Sequence, residues 1–399
     1  MLPALPAKPF HLNADPKMRS ILTFLLSLAT AVCVADPRAR DLGVPFDGEP
    51  GPLNAITDVA GVTVGQVTLI EDLADGRAVR TGVTAILPRG RESVQFPVFA
   101  ASFVLNGAGE MTGTEWIEES GKLDGPVMLT NTHSVGTVHE ATIAWRVRAA
   151  PPDASGYWWS TPVVAETWDG DLNDVNGFHV KPAHVDAALD GAASGPVAEG
   201  NVGGGTGMTC HQFKCGIGTA SRRVDIDGRA HTVGALVQAN YGTRASLRIA
   251  GVPVGRHLGA QSADRAIATE GDSGSIIIVV ATDAPLLPHQ LKRIAKRAGM
   301  GLARMGSFAG EGSGDIFIAF STANRAAAAN PVAGSAEVID NGQLNSLFEA
   351  TVQATEEAIV NAMIAARDMR GQNGFEVKAI PHAELVALLK SHGRYAPPK

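Results

Sequence analysis

The stretch "ATEGDSGSIIIVVATDAPLLP", residues 268–288, decides how the fold is interpreted. Its apolar run at 276–280 predicts a strand, and apolar residues without polar alternation are typical of a strand that is covered on both faces. Two serines, Ser273 and Ser275, lie just before this run. Their position at the mouth of a buried strand makes both of them candidate nucleophiles.

The rest of the chain mixes strand-like and helix-like segments. It has 399 residues, of which 45% are hydrophobic and 18% charged, with a net charge of -7 and no conspicuous Lys/Arg run. This composition is globular and gives no electrostatic footprint for nucleic-acid binding. Residues 288–305 and 344–369 have apolar positions at helical spacing, and we expect two helices there. One α/β domain with stacked layers of helix and sheet is the simplest interpretation.

The N-terminal segment resembles an export signal. Lys17 and Arg19 precede the apolar run "ILTFLLSLATAVCVA" at 21–35, which ends in small residues and is short for a membrane span. We therefore expect a signal peptide at 1–35 and a periplasmic or secreted protein, with a membrane anchor as the alternative. Whether translation begins at Met1 or Met18 is left open.

The cysteines that follow the signal peptide lie close together, in "CHQFKC" at 210–215. In an oxidising compartment Cys210 and Cys215 form either a disulfide or two free thiols, and the spacing does not decide between them. It is not a C-x-x-C motif, so a structural zinc site is not expected. No motif in the chain calls for a metal or a cofactor.

Ser273 offers a trypsin-like interpretation. The string "GDSG" at 271–274 matches part of the trypsin nucleophile motif, but Ser275 stands where a further glycine is expected. Long predicted helices do not suit an all-β double barrel either. A trypsin-like protease that uses Ser273 is thus kept only as an alternative.

Ser275 offers a different chemistry. Its hydroxyl can attack the carbonyl of Gly274, where the missing Cβ removes crowding, and water then opens the resulting ester. The new α-amine has an ordinary pKa of about 7.7–8.0 and can serve as the base for the hydroxyl of the same residue. On spacing alone, a serine in a turn before a strand is the simpler interpretation.

Several segments resemble one family, the self-processing aminopeptidases that include the β-peptidyl aminopeptidases and the L-aminopeptidase/D-amino-acid esterases. They include "GSIIIVVATDAPLLPHQLKRIAKRA" (274–298), "GEGSGDIFIAFST" (310–322) and "LVQANYGTRASLRIAGVPVG" (236–255). The resemblance covers nearly the whole mature chain. It implies a four-layer αββα sandwich, an N-terminal-nucleophile-like fold of the α/β (α+β) class, built as a single domain. It also implies a cut after Gly274, two pieces (36–274 and 275–399) that stay associated, and a homo-oligomer.

The resemblance assigns the nucleophile and its neighbours. It implies that Ser275 is freed by the cut and becomes the nucleophile, and that Ser313 and Asp315 orient the nucleophile and its amine. Residues two apart share one face of a strand, so we expect both side chains to point at Ser275.

The resemblance also assigns residues that face the substrate. Asn240 is implied to stabilise the oxyanion, for which an amide N–H suits because it donates without titrating. Glu166 is implied to receive the protonated amino group of the substrate. Trp168 stands where a tyrosine is expected in this family, so a hydroxyl role does not carry over and the pocket is expected to differ in shape.

The function implied is release of N-terminal residues from peptides, amides and esters through an acyl-enzyme on Ser275. The substrate is a small molecule with a free amino terminus, and N-terminal β-amino acids or small L- or D-α-amino acids are both compatible with the sequence. The alternative from another class is an uncleaved, catalytically silent binding protein with the same fold.

Overall fold

A computed structural model describes residues 37–149, 159–258, 274–329 and 335–398. The predicted signal peptide and Ser273 lie outside these ranges. The described residues from Pro37 onward belong to one compact unit. Among the residues described, no helix is both long enough and apolar enough to span a bilayer.

Two main sheets form the centre of the molecule. One has four strands in the order β1-β2-β5-β6, and the other has six in the order β4-β3-β12-β11-β10-β9. The small pairs β7-β8 and β13-β14 stand apart from them. The strand bounds are β1 (Thr63–Asp72), β2 (Ala78–Arg91), β3 (Val98–Gly107), β4 (Lys122–Leu123), β5 (Val127–Asn131), β6 (Val163–Thr167), β7 (Thr209–Cys210), β8 (Phe213–Lys214), β9 (Ile217–Ile226), β10 (Arg229–Asn240), β11 (Gly274–Thr282), β12 (Ser313–Ser321), β13 (Met369–Arg370) and β14 (Glu376–Val377).

Helices cover the outer faces of both sheets. The helix bounds are α1 (Thr114–Ser120), α2 (Val135–Ala149), α3 (Pro182–Asp190), α4 (Pro288–Arg304), α5 (Arg325–Ala329), α6 (Asn345–Ile364) and α7 (His382–Ser391). Helices α2 and α3 pack on the four-stranded sheet, whereas α4 and α6 pack on the six-stranded sheet. The predicted αββα sandwich is thereby confirmed.

Three apolar cores lie between these layers. Ile86 and Leu129 of the four-stranded sheet meet Ile277 and Phe320 of the six-stranded sheet in the core between the sheets. A second core lies between α4, α6 and the six-stranded sheet. A third lies between α2, α3 and the four-stranded sheet. Every strand of the central region therefore has apolar neighbours on both faces.

Strand β11 shows why its sequence lacks polar alternation. Ile276 and Ile278 pack in the core on the helix side, whereas Ile277 and Val279 pack between the sheets. The strand lies between β10, which is antiparallel to it, and β12, which is parallel. Both of its faces are thus desolvated, and burial of these side chains holds the start of the strand in a fixed register.

The register of β11 brings distant parts of the sequence together at its first residues. Ser275 is paired with Asn240 on β10 and with Gly314 on β12. Gly274 is paired with Ser313. Four of the residues singled out in the sequence, Gly274, Ser275, Asn240 and Ser313, therefore meet at one end of the central strands of the six-stranded sheet.

A disulfide joins Cys210 to Cys215. It closes the hairpin of β7 and β8, in which Thr209 is paired with Lys214. The turn residues His211 and Gln212 have φ values of 50° and 61°. Positive φ at both central positions is typical of a type I′ turn, which usually carries glycine or asparagine. The hairpin therefore holds two non-glycine residues in an unfavourable conformation.

Candidate active site

A pocket of about 360 Å³ opens at the edge of the sheets where β6 and β10 end and β11 begins. Its lining combines hydrogen-bond acceptors, hydrogen-bond donors and two aromatic residues, with few apolar side chains. The residues that line it are Ala108, Thr132, Glu166, Trp168, Asp171, Thr209, Gln212, Asn240, Tyr241, Gly242, Thr243, Gly274, Ser275 and Gly312. Ser275, Asn240, Glu166 and Trp168, predicted from widely separated segments, thus come together.

Ser275 lies at the floor of the pocket and only 4% of its surface is exposed. Its Oγ accepts a hydrogen bond from the backbone N–H of Gly314 at 3.2 Å. The residue before it, Gly274, has a φ of 142°, and a Cβ at that position would lie 2.2 Å from the carbonyl oxygen of Asn240. Position 274 therefore accepts only glycine, and the carbonyl that precedes Ser275 carries no side chain beside it.

Ser313 and Asp315 share one face of β12, as predicted, and the Ser313 hydroxyl donates to Asp315 Oδ1 at 2.7 Å. That both point at Ser275 and its amine stays a prediction, and the pairing of β11 with β12 places them on the face opposite to the Ser275 side chain. Asp315 is the register partner of Ile276, whose side chain faces the helix-side core, whereas Ser275 is the partner of Gly314. Neighbours in register point to the same side of a sheet.

The two fully buried side chains therefore lie behind the strand and do not line the pocket. Because Ser313 is paired with Gly274, they are next to the main chain at the Gly274–Ser275 peptide bond. That peptide nitrogen becomes the α-amine if the chain is cut there. The position suits an effect on the amine better than one on the hydroxyl.

Asn240 is oriented by Thr209. Its Oδ1 accepts a hydrogen bond from the Thr209 hydroxyl at 3.4 Å and a shorter one from the backbone N–H of Thr209 at 2.8 Å. Because a backbone N–H can only donate, this contact identifies the oxygen of the amide and leaves Nδ2 as the donor on the other side. Asn240 also lines the pocket beside Ser275, so its geometry is that of an oxyanion donor.

Glu166 is a buried carboxylate, 4% exposed, at the end of β6. Its Oε1 accepts from the backbone N–H of Glu110 at 3.0 Å, and its Oε2 accepts from the Thr132 hydroxyl. Burial raises the pKa of Glu166 despite these two hydrogen bonds. A desolvated carboxylate at the wall of a pocket binds a cation more strongly than an exposed one does, because little water competes.

Trp168 differs from the other predicted residues because 41% of its surface is exposed. Its ring makes an edge contact with His133, with 6.1 Å between the ring centroids. It therefore forms part of the mouth of the pocket. Nothing in the sequence singled out Thr132, Asp171, Thr209 or Gln212. Of these, Thr132 directly follows the apolar strand β5, and its position there is the one signal that could have found it.

Comparison with known proteins gives consistent matches. The model of peptidase family S58 matches residues 54–377. The β-peptidyl aminopeptidase BapA of Sphingosinicella microcystinivorans is 55% identical over 96% of this chain and 99% of its own length. The L-aminopeptidase D-Ala-esterase/amidase of Ochrobactrum anthropi, a serine aminopeptidase with a variant of the Ntn hydrolase fold, aligns with a TM-score of 0.83, at 51% identity, over 90% of this chain and all of that one. A β-aminopeptidase of Burkholderia sp. aligns with a TM-score of 0.81, at 48% identity, over 90% of this chain and 99% of that one.

Proposed function

This chain belongs to peptidase family S58, and we propose that Ser275 is the nucleophile of its serine aminopeptidase activity. The enzyme is a hydrolase that acts on peptides, amides and esters. The observation that carries the assignment is the position of Ser275, which follows a glycine with positive φ and lies in one pocket with Asn240 and Glu166.

We propose that the enzyme first cuts itself. The Ser275 Oγ attacks the carbonyl carbon of Gly274, the peptide C–N bond breaks, and an ester joins the two residues. The peptide nitrogen becomes the α-amine of Ser275, and water then hydrolyses the ester to leave a carboxylate on Gly274. The products are the chains 36–274 and 275–399. The absence of a Cβ at position 274 leaves the carbonyl open to this attack.

Peptide hydrolysis then reuses the same atoms. Ser275 Oγ attacks the substrate carbonyl while the α-amine takes its proton, the leaving amine departs, and water releases the acyl group. Asn240 Nδ2 donates to the oxygen that becomes negatively charged in the tetrahedral intermediate. The Glu166 carboxylate pairs with the ammonium of the substrate, and this pairing restricts the enzyme to free amino termini.

The preferred substrate class follows from the named relatives. Two of them are β-aminopeptidases, one of which is 55% identical to this chain, and we therefore propose N-terminal β-amino acids as the first class of substrate. Small α-residues, including D-alanine amides and esters, are the second class, because the structural relative from Ochrobactrum anthropi is named for them. The ratio of kcat/KM for β-alanine and D-alanine p-nitroanilides separates the two.

Export of the enzyme is also a proposal, and it rests on the segment at 17–35. A signal peptide that ends at residue 35 gives a mature protein that begins at Asp36. N-terminal sequencing of the protein from the periplasm or medium of its host tests this. Recovery of a chain that still begins at residue 1 would overturn it.

Three proteins test the central assignment: the wild type, Ser275→Ala and Ser273→Ala. We expect wild-type protein to contain two chains of about two-thirds and one-third of the mature mass, the smaller beginning with Ser275. Ser275→Ala gives one uncut and inactive chain, whereas Ser273→Ala is still cut. Mass spectrometry and an aminopeptidase assay measure both properties.

The competing interpretations give different results in the same experiment. A trypsin-like enzyme that uses Ser273 loses activity in Ser273→Ala and stays active and uncut in Ser275→Ala. A silent binding protein is uncut and inactive in all three forms. An active Ser275→Ala protein would therefore exclude the proposed nucleophile.

A further inference from the structure

A buried amine lies next to the loop that orients Asn240. Lys214 is fully buried, and its Nζ donates to the carbonyl oxygen of Met208 at 2.6 Å and to that of Cys215 at 2.7 Å. Within the described ranges, no carboxylate lies within salt-bridge distance of Nζ. Burial of an amine costs free energy unless its N–H groups are hydrogen-bonded.

The donors of this amine are fully used. Burial lowers the pKa of Lys214 well below its usual value, which favours the uncharged form. An uncharged amine has two N–H donors, and the two carbonyls accept both of them. Lys214 Nζ therefore has both carbonyls as hydrogen-bond partners, and its contribution to this region is the direction of two hydrogen bonds.

One of these bonds leads directly to Asn240. The carbonyl of Met208 and the N–H of Thr209 belong to the same planar peptide unit, so fixing the carbonyl also fixes the direction of the N–H. That N–H donates to Asn240 Oδ1 at 2.8 Å. A hydrogen bond accepted at the carbonyl also polarises the N–H of the same unit and strengthens its bond to Oδ1.

The orientation of the Asn240 amide matters because its terminal torsion is only weakly restricted by its own geometry. With Oδ1 held by Thr209, Nδ2 is the group left for the pocket. If the amide rotates by half a turn, its oxygen faces the developing oxyanion and repels it. The contact from Thr209 therefore separates a stabilising from a destabilising orientation.

We infer that Lys214 is a positioning residue for the oxyanion donor Asn240, acting through the peptide unit that joins Met208 to Thr209. The inference rests on the proposed role of Asn240. Other contacts hold the rest of the hairpin: the disulfide closes it, and Arg244 Nε donates to the carbonyl of His211 at 2.9 Å. The carbonyl of Met208 accepts from the backbone N–H of Cys215 at 3.1 Å, and Lys214 Nζ supplies its second and shorter hydrogen bond, at 2.6 Å, on the peptide that faces Asn240.

A double-mutant cycle tests this coupling. Lys214→Met and Asn240→Ala are made singly and together, and kcat and KM are measured per mole of chain that begins with Ser275, as counted by mass spectrometry. Asn240→Ala lowers kcat about 10²–10³-fold. Lys214→Met lowers kcat by about 10–10²-fold with KM unchanged, because only the position of the donor is disturbed. In the Asn240→Ala background, Lys214→Met has no further effect on kcat.

The control is Lys378→Met, the same chemical change at a half-exposed lysine that pairs with Asp368 and Glu376. It leaves kcat and KM unchanged. Should Lys214→Met give no folded protein, Lys214→Gln takes its place in the same cycle, because its shorter amide still offers two donors but cannot reach both carbonyls in the same way.

Each result decides one question. Equal losses of kcat from the Lys214 substitution in both backgrounds indicate a general structural role and overturn the inference. So does a normal kcat in the single Lys214 variant. A normal kcat in Asn240→Ala instead removes the oxyanion role itself, and with it the proposed function of that residue, whatever Lys214 does.

Discussion

At the scale of single residues, the burial of Glu166 is unfavourable by itself but suits its proposed role of pairing with the substrate ammonium. Its carboxylate is 4% exposed, and burial raises its pKa because a negative charge there is poorly solvated. A substrate ammonium restores the missing partner. Removal of one member of a buried ion pair costs about 3–5 kcal/mol, since the other charge is left alone.

We therefore predict that acetylation of the substrate amine abolishes turnover. Glu166→Gln should lower kcat/KM by at least about 10²-fold, which corresponds to the lower end of that range. Steady-state kinetics on free and acetylated substrates provides the measurement. Glu119→Gln, the same change at an exposed position on α1, is the matched control and should behave as wild type. Equal rates on the two substrates would contradict the assigned role of Glu166.

How well single residues are predicted from the sequence depends on what defines their role. Ser275, Asn240 and Glu166 belong to contiguous motifs, and the family resemblance identified them. Thr209 and Lys214 have no motif of their own. Both residues contribute to the site through the β7–β8 hairpin, in which the Thr209 N–H donates to Asn240, 31 positions away. No local sequence pattern encodes that contact.

At the scale of elements, the register between β11 and β12 decides what the Ser313–Asp315 pair can do. A period of two correctly predicts that the two side chains share a face. The period does not predict which face of the sheet the two side chains occupy, because that depends on how β12 pairs with the parallel strand β11. Parallel strands are joined by a long crossover, so no tight turn sets their register. Here the register places Asp315 beside Ile276 and away from the pocket.

The disulfide-closed hairpin of β7 and β8 gives a prediction at the same scale. A cross-link between Cys210 and Cys215 closes a short loop and should contribute about 2 kcal/mol to the free energy of unfolding. We expect reductant to lower that free energy in the uncut Ser275→Ala protein, in which a single chain unfolds. Urea denaturation with and without reductant measures the difference.

The matched control for the disulfide replaces both cysteines by alanine in the same uncut protein. Its stability should equal that of the reduced protein and should not respond to reductant. If oxidised and reduced Ser275→Ala proteins unfold at the same urea concentration, the bridge contributes nothing and the hairpin is held by its hydrogen bonds alone.

At the scale of the whole molecule, the layered sandwich was predictable because apolar strands without polar alternation need cover on both faces. The helix predicted at 288–305 matches α4, which ends at Arg304. The helix predicted at 344–369 ends earlier, at Ile364, since Met369 and Arg370 form strand β13 with β14. The order of the strands in the two sheets follows from long-range pairing that local patterns do not contain.

The strand order also determines what happens after the proposed cut. The piece 275–399 supplies β11 and β12, which lie side by side in the six-stranded sheet. The piece 36–274 supplies β10 on one side of them and β3 on the other. A buried ion pair between Arg222 and Glu357, at 2.7 Å, also joins the two pieces. Separation would expose four strand edges, those of β3, β10, β11 and β12, and a large apolar surface.

We therefore predict that the cut enzyme remains one particle. Light scattering after gel filtration should give the mass of one copy of each piece together, or a multiple of that mass if the proposed homo-oligomer forms. Only denaturant should separate the two pieces.

After denaturation, the uncut Ser275→Ala protein should refold faster than the cut enzyme. In the cut enzyme β11 must find β10, and β12 must find β3, by diffusion between chains, whereas in one chain the search is intramolecular. Elution of the smaller piece alone from native protein would contradict the prediction that the two pieces stay together in one sheet. Equal refolding rates of cut and uncut protein at all protein concentrations would contradict the prediction of slower refolding.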